Sequence, residues 1–128
     1  MVELKSDDVR TLVDLGFIAL SHGRNDAAAA IFAGAQAARP AQEAGFIGSA
    51  LVSLARGELE AAVKTLRSLP PTDAARTFLA MALNRSGDRT AAREILMDVV
   101  RTAGGTPHAA LARELLDEFD GAQAPLVR

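Results

Sequence analysis

The side chains that could do chemistry are few and scattered. His22 and His108 have no acid, serine or cysteine at the spacing of a nucleophile–base pair or a metal cluster. Asp7-Asp8 stands where a helix would begin, and Glu114, Asp117 and Glu118 recur along a helical stretch. Acids placed this way suit a helix dipole or a solvated face, not a pair of carboxylates working as acid and base. Gly104-Gly105 follows no strand, so it reads as a helix stop and not as a loop cradling phosphate. Cysteine is absent, which removes thiolate nucleophiles, disulfides and sulfur-bound metals. The expectation is a non-enzyme with no cofactor and no metal.

What remains is a chain built to pack. Its 128 residues suit one domain with a core of its own. Fourteen Lys plus Arg are interleaved with sixteen Asp plus Glu for a net charge of −2, which argues against a nucleic-acid or anionic-membrane surface. No apolar run approaches the roughly 20 residues of a membrane span, and MVELKSDDVR lacks the order of a signal peptide. A soluble, cytoplasmic protein is expected. Hydrophobic residues make up 49%, mostly Ala and Leu with little β-type alternation, so the fold class is all-α.

Start and stop signals divide the chain into seven helices. Ser6 reads as the N-cap of a helix reaching Ser21, and His22-Gly23-Arg24 breaks it. Asn25 caps a second that runs to Ala38 before Pro40. Helical patterns then cover Gln42 to Arg56, Leu59 to Leu69, and Thr72 or Asp73 to Ser86, separated by Gly57 and Pro70-Pro71. After Gly87 a sixth helix spans Thr90 to Thr102, and Thr106-Pro107 opens a seventh ending at Phe119. Residues 121–128 lack periodicity and read as a flexible tail.

The breaking glycines 23, 57 and 87 lie 34 and 30 residues apart. Five residues after each comes an alanine (Ala28, Ala62, Ala92), and four after that a large apolar residue (Phe32, Leu66, Leu96). Three helix-turn-helix units therefore share one template. The first, with Leu15-Gly16, Ala28-x3-Phe32 and Pro40, resembles the tetratricopeptide repeat (TPR) in order and spacing. In the other two units Ser49-Ala50 and Leu79-Ala80 replace the Leu-Gly pair, still small at the second position. The resemblance implies a right-handed stack of three repeats, about 9–40, 43–71 and 73–104, with a capping helix over 107–119, all in one domain over 1–120. Small residues let paired helices approach closely while Leu and Phe fill the gaps. On this reading Leu12, Leu15, Gly16 and Ala19 are packing positions of the first helix.

The same resemblance places a partner-binding groove on the first helix of each repeat. Its residues are Val13, Phe17 and Leu20, then Ile47, Leu51 and Leu54, then Thr77, Met81 and Asn84, with Arg85 at the rim. Val13, Phe17, Ile47 and Leu51 stand where carboxylate-clamp TPRs carry Lys and Asn, so a clamp of the Hsp90 or Hsp70 type is not expected. Between Ala44 and Ala55 no residue is charged. That stretch either lines the groove or lies sandwiched among neighbouring helices. A small TPR chain with an apolar groove is similar to cytoplasmic chaperones of type III secretion, and its length is nearer to the needle-subunit or export-apparatus chaperones than to the translocator chaperones. The implied partner is a secretion substrate offering an apolar helix, with a small helical co-chaperone beside it. Alternatives are a generic TPR assembly scaffold, and a structural protein that forms a homodimer through the same apolar surface.

Overall fold

The computed structural model describes residues 5–123. Its elements there are α1 (Ser6–Ser21), α2 (Asn25–Ala38), α3 (Glu43–Ala55), α4 (Leu59–Arg67), α5 (Asp73–Arg85), α6 (Arg89–Thr102) and α7 (Pro107–Gln123). α4, with 9 residues against 14 in α2 and α6, is the short partner that Pro70-Pro71 enforces.

The starts of α5, α6 and α7 are set by side chains. Thr72 accepts a hydrogen bond from the Ala75 N–H at 3.2 Å, Asp88 from the Ala91 N–H at 3.2 Å, and Thr106 from the Ala109 N–H at 3.1 Å. Ser6 is not the N-cap of α1. Lys5 holds that position, and its N–H donates to the Asp8 carboxylate at 3.1 Å, so the acid in the first turn bonds back to the chain entering the helix. Asn25 is likewise the first residue of α2, with Arg24 at the cap position. α7 continues through Asp120-Gly121 to Gln123. Arg93 reaches across to Asp120 at 2.5 Å and Arg89 to the Phe119 carbonyl at 2.7 Å, contacts that hold the helix past its expected end. Residues 121–123 of the expected tail are thus helical, and 124–128 lie outside the described residues.

The repeat is visible in its turns. Gly23, Gly57 and Gly87 all have positive φ (74°, 78° and 99°), and the next residue's N–H returns to the carbonyl five positions back: Arg24 to Ala19, Glu58 to Ser53, Asp88 to Leu83, at 2.8 to 2.9 Å. A side chain at these glycines would be strained, which is why the template's most regular letter is Gly.

The chain divides into two compact units, Met1–Leu69 and Pro70–Arg128. In the first, α2 packs on both α1 and α3, and α4 closes on α3. Val9, Val13, Ala28, Phe32, Ala35 and Val52 form the core, with Phe17, Ala19, Leu20, Ala29, Ala38 and Ala44 packed around it. The Phe32 ring is fully buried because two backbones make room for it. A Cβ added to Gly16 would lie 2.6 Å from the ring, and one added to Gly48 would lie 2.2 Å from it. Gly16 on α1 and Gly48 on α3 therefore flank one aromatic side chain from α2, and ring-to-backbone contact replaces the side-chain contact these sites lack. Phe17 meets the same ring edge-on, with centroids 5.0 Å apart and planes at 67°. Gln36 ties α2 to α3 by donating to the Gly45 carbonyl at 3.1 Å and to the Ser49 hydroxyl at 2.5 Å.

In the second unit α5, α6 and α7 pack against one another, and each supplies small residues to a buried interior: Ala75 and Ala80, Ala92, Ala109 and Ala112. Leu83, Leu96, Val99 and Phe119 fill it. Arg76 of α5 binds Asp98 of α6 at 2.5 Å and Asp73 at 2.8 Å, and Asp98 also receives Arg101.

Candidate functional site

In the first unit the six residues named from sequence divide by depth. Val13, Ile47 and Leu54 are buried, whereas Phe17, Leu20 and Leu51 are half-buried and show an apolar surface. Phe17 and Leu20 lie along one side of α1, and both rest on the core around Phe32. α3 is enclosed on nearly all sides: Gly45, Ile47, Gly48, Ala50, Val52 and Leu54 are buried, and of residues 44–55 only Ala55 is exposed. Burial thus explains most of its missing charge, and Leu51 is the groove position of α3 that still reaches the surface.

Leu15 requires a correction. Read as a packing residue next to Gly16, it is 48% exposed, because one helical step of 100° turns it off the face that Gly16 presents to Phe32.

In the second unit Met81, Asn84 and Arg85 of α5 converge on a pocket of about 440 Å³, joined by Arg89 at the start of α6 and by Leu115, Glu118 and Phe119 of α7. Thr77 is not part of it. Its side chain is fully buried and donates to the Asp73 carbonyl at 2.7 Å, so the hydroxyl is satisfied within its own helix. The pocket's lining joins apolar Met81, Leu115 and Phe119 to polar Asn84, Arg85, Arg89 and Glu118. This suits a peptide-like ligand with one apolar side chain and adjacent polar groups.

Arg89 and Glu118 were not legible as pocket residues. The Arg89 guanidinium stacks over the Phe119 ring, 5.2 Å from its centroid, and donates to the Phe119 carbonyl. One signal existed in sequence: a cation in the first turn of a helix opposes the helix dipole, which marks Arg89 as spent elsewhere. Glu118, read as solvated charge, is exposed but stands at the pocket's edge. Among the described residues no cluster of His, Cys, Asp or Glu could hold a metal, and no helix is long and apolar enough to cross a membrane.

Known proteins match this chain by structure only. No family model and no curated protein matches its sequence. Among solved structures, the Yersinia enterocolitica type III secretion translocator chaperone SycD superposes with a TM-score of 0.77 at 17% identity, over 93% of this chain and 92% of that one. The first TPR of Spaghetti (RPAP3), bound to the HSP90 peptide SRMEEVD, gives a TM-score of 0.71 at 15% identity, over 98% and 100% of the chains. The Sgt2 TPR domain from Aspergillus fumigatus gives 0.69 at 18%, over 98% and 91%.

The fold is all-α and TPR-like.

Those superpositions accord with the recurrent turn glycines and the buried pairs Ala28/Phe32, Ala62/Leu66 and Ala92/Leu96, which repeat the same packing three times.

Proposed function

We propose that this TPR-like protein is a non-enzymatic binding module that holds an apolar helical segment of another protein. One observation carries the reading: at the first-helix positions left accessible, the side chains are apolar. They are Phe17, Leu20 and Leu51 in the first unit and, considered by itself, Met81 in the second, which lines that unit's pocket. Binding would bury the client's apolar stripe on the first unit's Phe17, Leu20 and Leu51 and withdraw it from self-association. Val13, Ile47, Leu54 and Thr77 act as the framework beneath.

Within this class the best-supported role is that of a cytoplasmic type III secretion chaperone, with a secretion substrate as client and a small helical co-chaperone as companion. The structural likeness to SycD, itself a translocator chaperone, supports it. Because this chain spans 92% of the SycD chain, length does not separate it from the translocator class, and needle-subunit and translocator clients are both in scope. The apolar residues at the clamp positions favour an apolar helix over a C-terminal carboxylate. A generic assembly scaffold remains the second reading.

Light scattering on the purified protein, alone and after co-expression with proteins encoded beside it, provides the test. Gain of one small helical partner in a stoichiometric complex, lost on Leu51→Asp while helicity persists, is the expected result. A partner that binds equally well to Leu51→Asp overturns the assignment of this surface.

A further inference from the structure

The last turns of α7 form a helix that its own sequence opposes. From residue 113 to 120 the exposed charges are Arg113, Glu114, Asp117, Glu118 and Asp120, one cation among four acids. Arg113 stands four residues before Asp117, which leaves Glu114 beside Glu118 and Asp117 beside Asp120 at helical spacing. The acids gather toward the C-terminal end, where the helix dipole favours cations, and the last turn has no basic residue. Gly121, in the same stretch, is a poor helix former.

This end is held from α6. Arg93 pairs with Asp120 at 2.5 Å through solvent-accessible side chains, and a pair of that kind contributes little. Arg89 donates to the Phe119 carbonyl at 2.7 Å and lies over the Phe119 ring, which is itself buried. The Arg89 hold is incomplete, because its Nε is buried there without a hydrogen-bond partner, a penalty that opening relieves. Of the other charges where α5 ends and α6 begins, Asp88 caps α6, Glu94 is exposed and Arg85 lines the pocket. The pocket lies at this same point, since Glu118 and Phe119 share its lining with Met81 of α5 and with Leu115. Release of residues 117–123 therefore takes Glu118 and Phe119 out of the lining and bares Met81 and Leu115. The earlier part of α7 stays seated through the buried Ala109 and Ala112. We propose that the end of α7 is a lid on this pocket, opening by local unfolding while the rest of the unit remains folded. The lid needs no client, so the inference stands apart from the proposed binding role.

Two measurements on the full chain test it together: amide exchange, and oxidation of methionine by hydrogen peroxide read at each residue by mass spectrometry. Met81 lines the pocket and is half-buried, whereas Met97 is 54% exposed on α6, outside the lining, and serves as the internal reference. Amides of residues 117–123 should exchange at a rate that low urea barely changes, while the buried parts of α5 and α6 accelerate with it. Gly121→Ala has open space around its new Cβ and should close the lid, slowing exchange over 117–123 about fivefold and Met81 oxidation at least twofold, with Met97 unchanged. Arg93→Gln should do the reverse, raising both by about twofold to threefold. Exchange over 117–123 with the same urea dependence as α5 and α6 overturns the proposal, because the end then opens only with the whole unit. Met81 oxidation that ignores both substitutions also overturns it, and leaves a frayed helix end that covers nothing. So does a change in Met81 that Met97 follows in parallel.

Discussion

Replacing Gly48 by alanine adds one methyl group at the most crowded point of the first unit. In the middle of a helix this exchange ordinarily stabilises, by about 1 kcal/mol, because alanine is the better helix former. Here the new Cβ would lie 2.2 Å from two atoms of the Phe32 ring, and ordinary contact begins at 3.4 Å. The ring must retreat by more than 1 Å, yet the same ring edge is also packed against Gly16, where an added Cβ would lie 2.6 Å away. Overpacking of this severity costs about 3 kcal/mol, the top of the usual range, so after the propensity gain the variant should lose about 2 kcal/mol. Urea unfolding followed by circular dichroism measures it. Gly34→Ala is the internal control: Gly34 is exposed on α2 with nothing within 4 Å of its would-be Cβ, and the change should stabilise by about 0.5 to 1 kcal/mol. Phe32→Leu in the Gly48→Ala background removes part of the ring and should recover some of the loss. A Gly48→Ala protein as stable as the parent would refute the claim that α1 and α3 close on Phe32 through their backbones.

Three further outcomes follow from the same geometry. Leu51→Asp should weaken client binding at least tenfold while lowering the unfolding midpoint only slightly, since Leu51 is half-buried; isothermal titration beside thermal unfolding separates the two. Arg89→Met, which removes the ring contact and the hydrogen bond to Phe119, should cost about 1 to 2 kcal/mol and raise amide exchange selectively at the end of α7. Gly57→Ala forces a side chain into φ +78° and should cost about 1 kcal/mol, seen as a lower urea midpoint.

The repeat was legible because its signals are stereochemical. A helix that must end in a reversed turn favours glycine at 23, 57 and 87, and a crossing that must be tight needs alanine at 28, 62 and 92, each fully buried. Capping is partly legible for the same reason: Thr72 and Thr106 do bond the first turns, but at α1 the backbone of Lys5 and the Asp8 carboxylate took the role given to Ser6. The role of Gly48 was not legible. It lies two residues before Ala50, the template's equivalent of Gly16, and its need for bareness comes from a ring on another helix. The end of α7 was missed for a related reason, since Gly121 is a poor helix residue that the contacts of Arg93 and Arg89 override.

The candidate site was harder to read than the fold because periodicity reports which residues are apolar and not which neighbour covers them. On α1 the apolar positions occupy more than one side, and a repeat template assigns them by register alone. The template placed Leu15 in the packing and Val13 on the binding face, whereas Val13 is in the core and Leu15 is exposed. Phe32 decides between them. With Gly16 turned to that ring, Val9 and Val13 share its side of α1, and the step of 100° to Leu15 carries that side chain outward. The proposed client surface of Phe17, Leu20 and Leu51 can therefore be altered without disturbing Leu15 and Ile18, and the converse also holds. A variant such as Ile18→Asp should leave client affinity unchanged, a result that titration with the client helix can check directly.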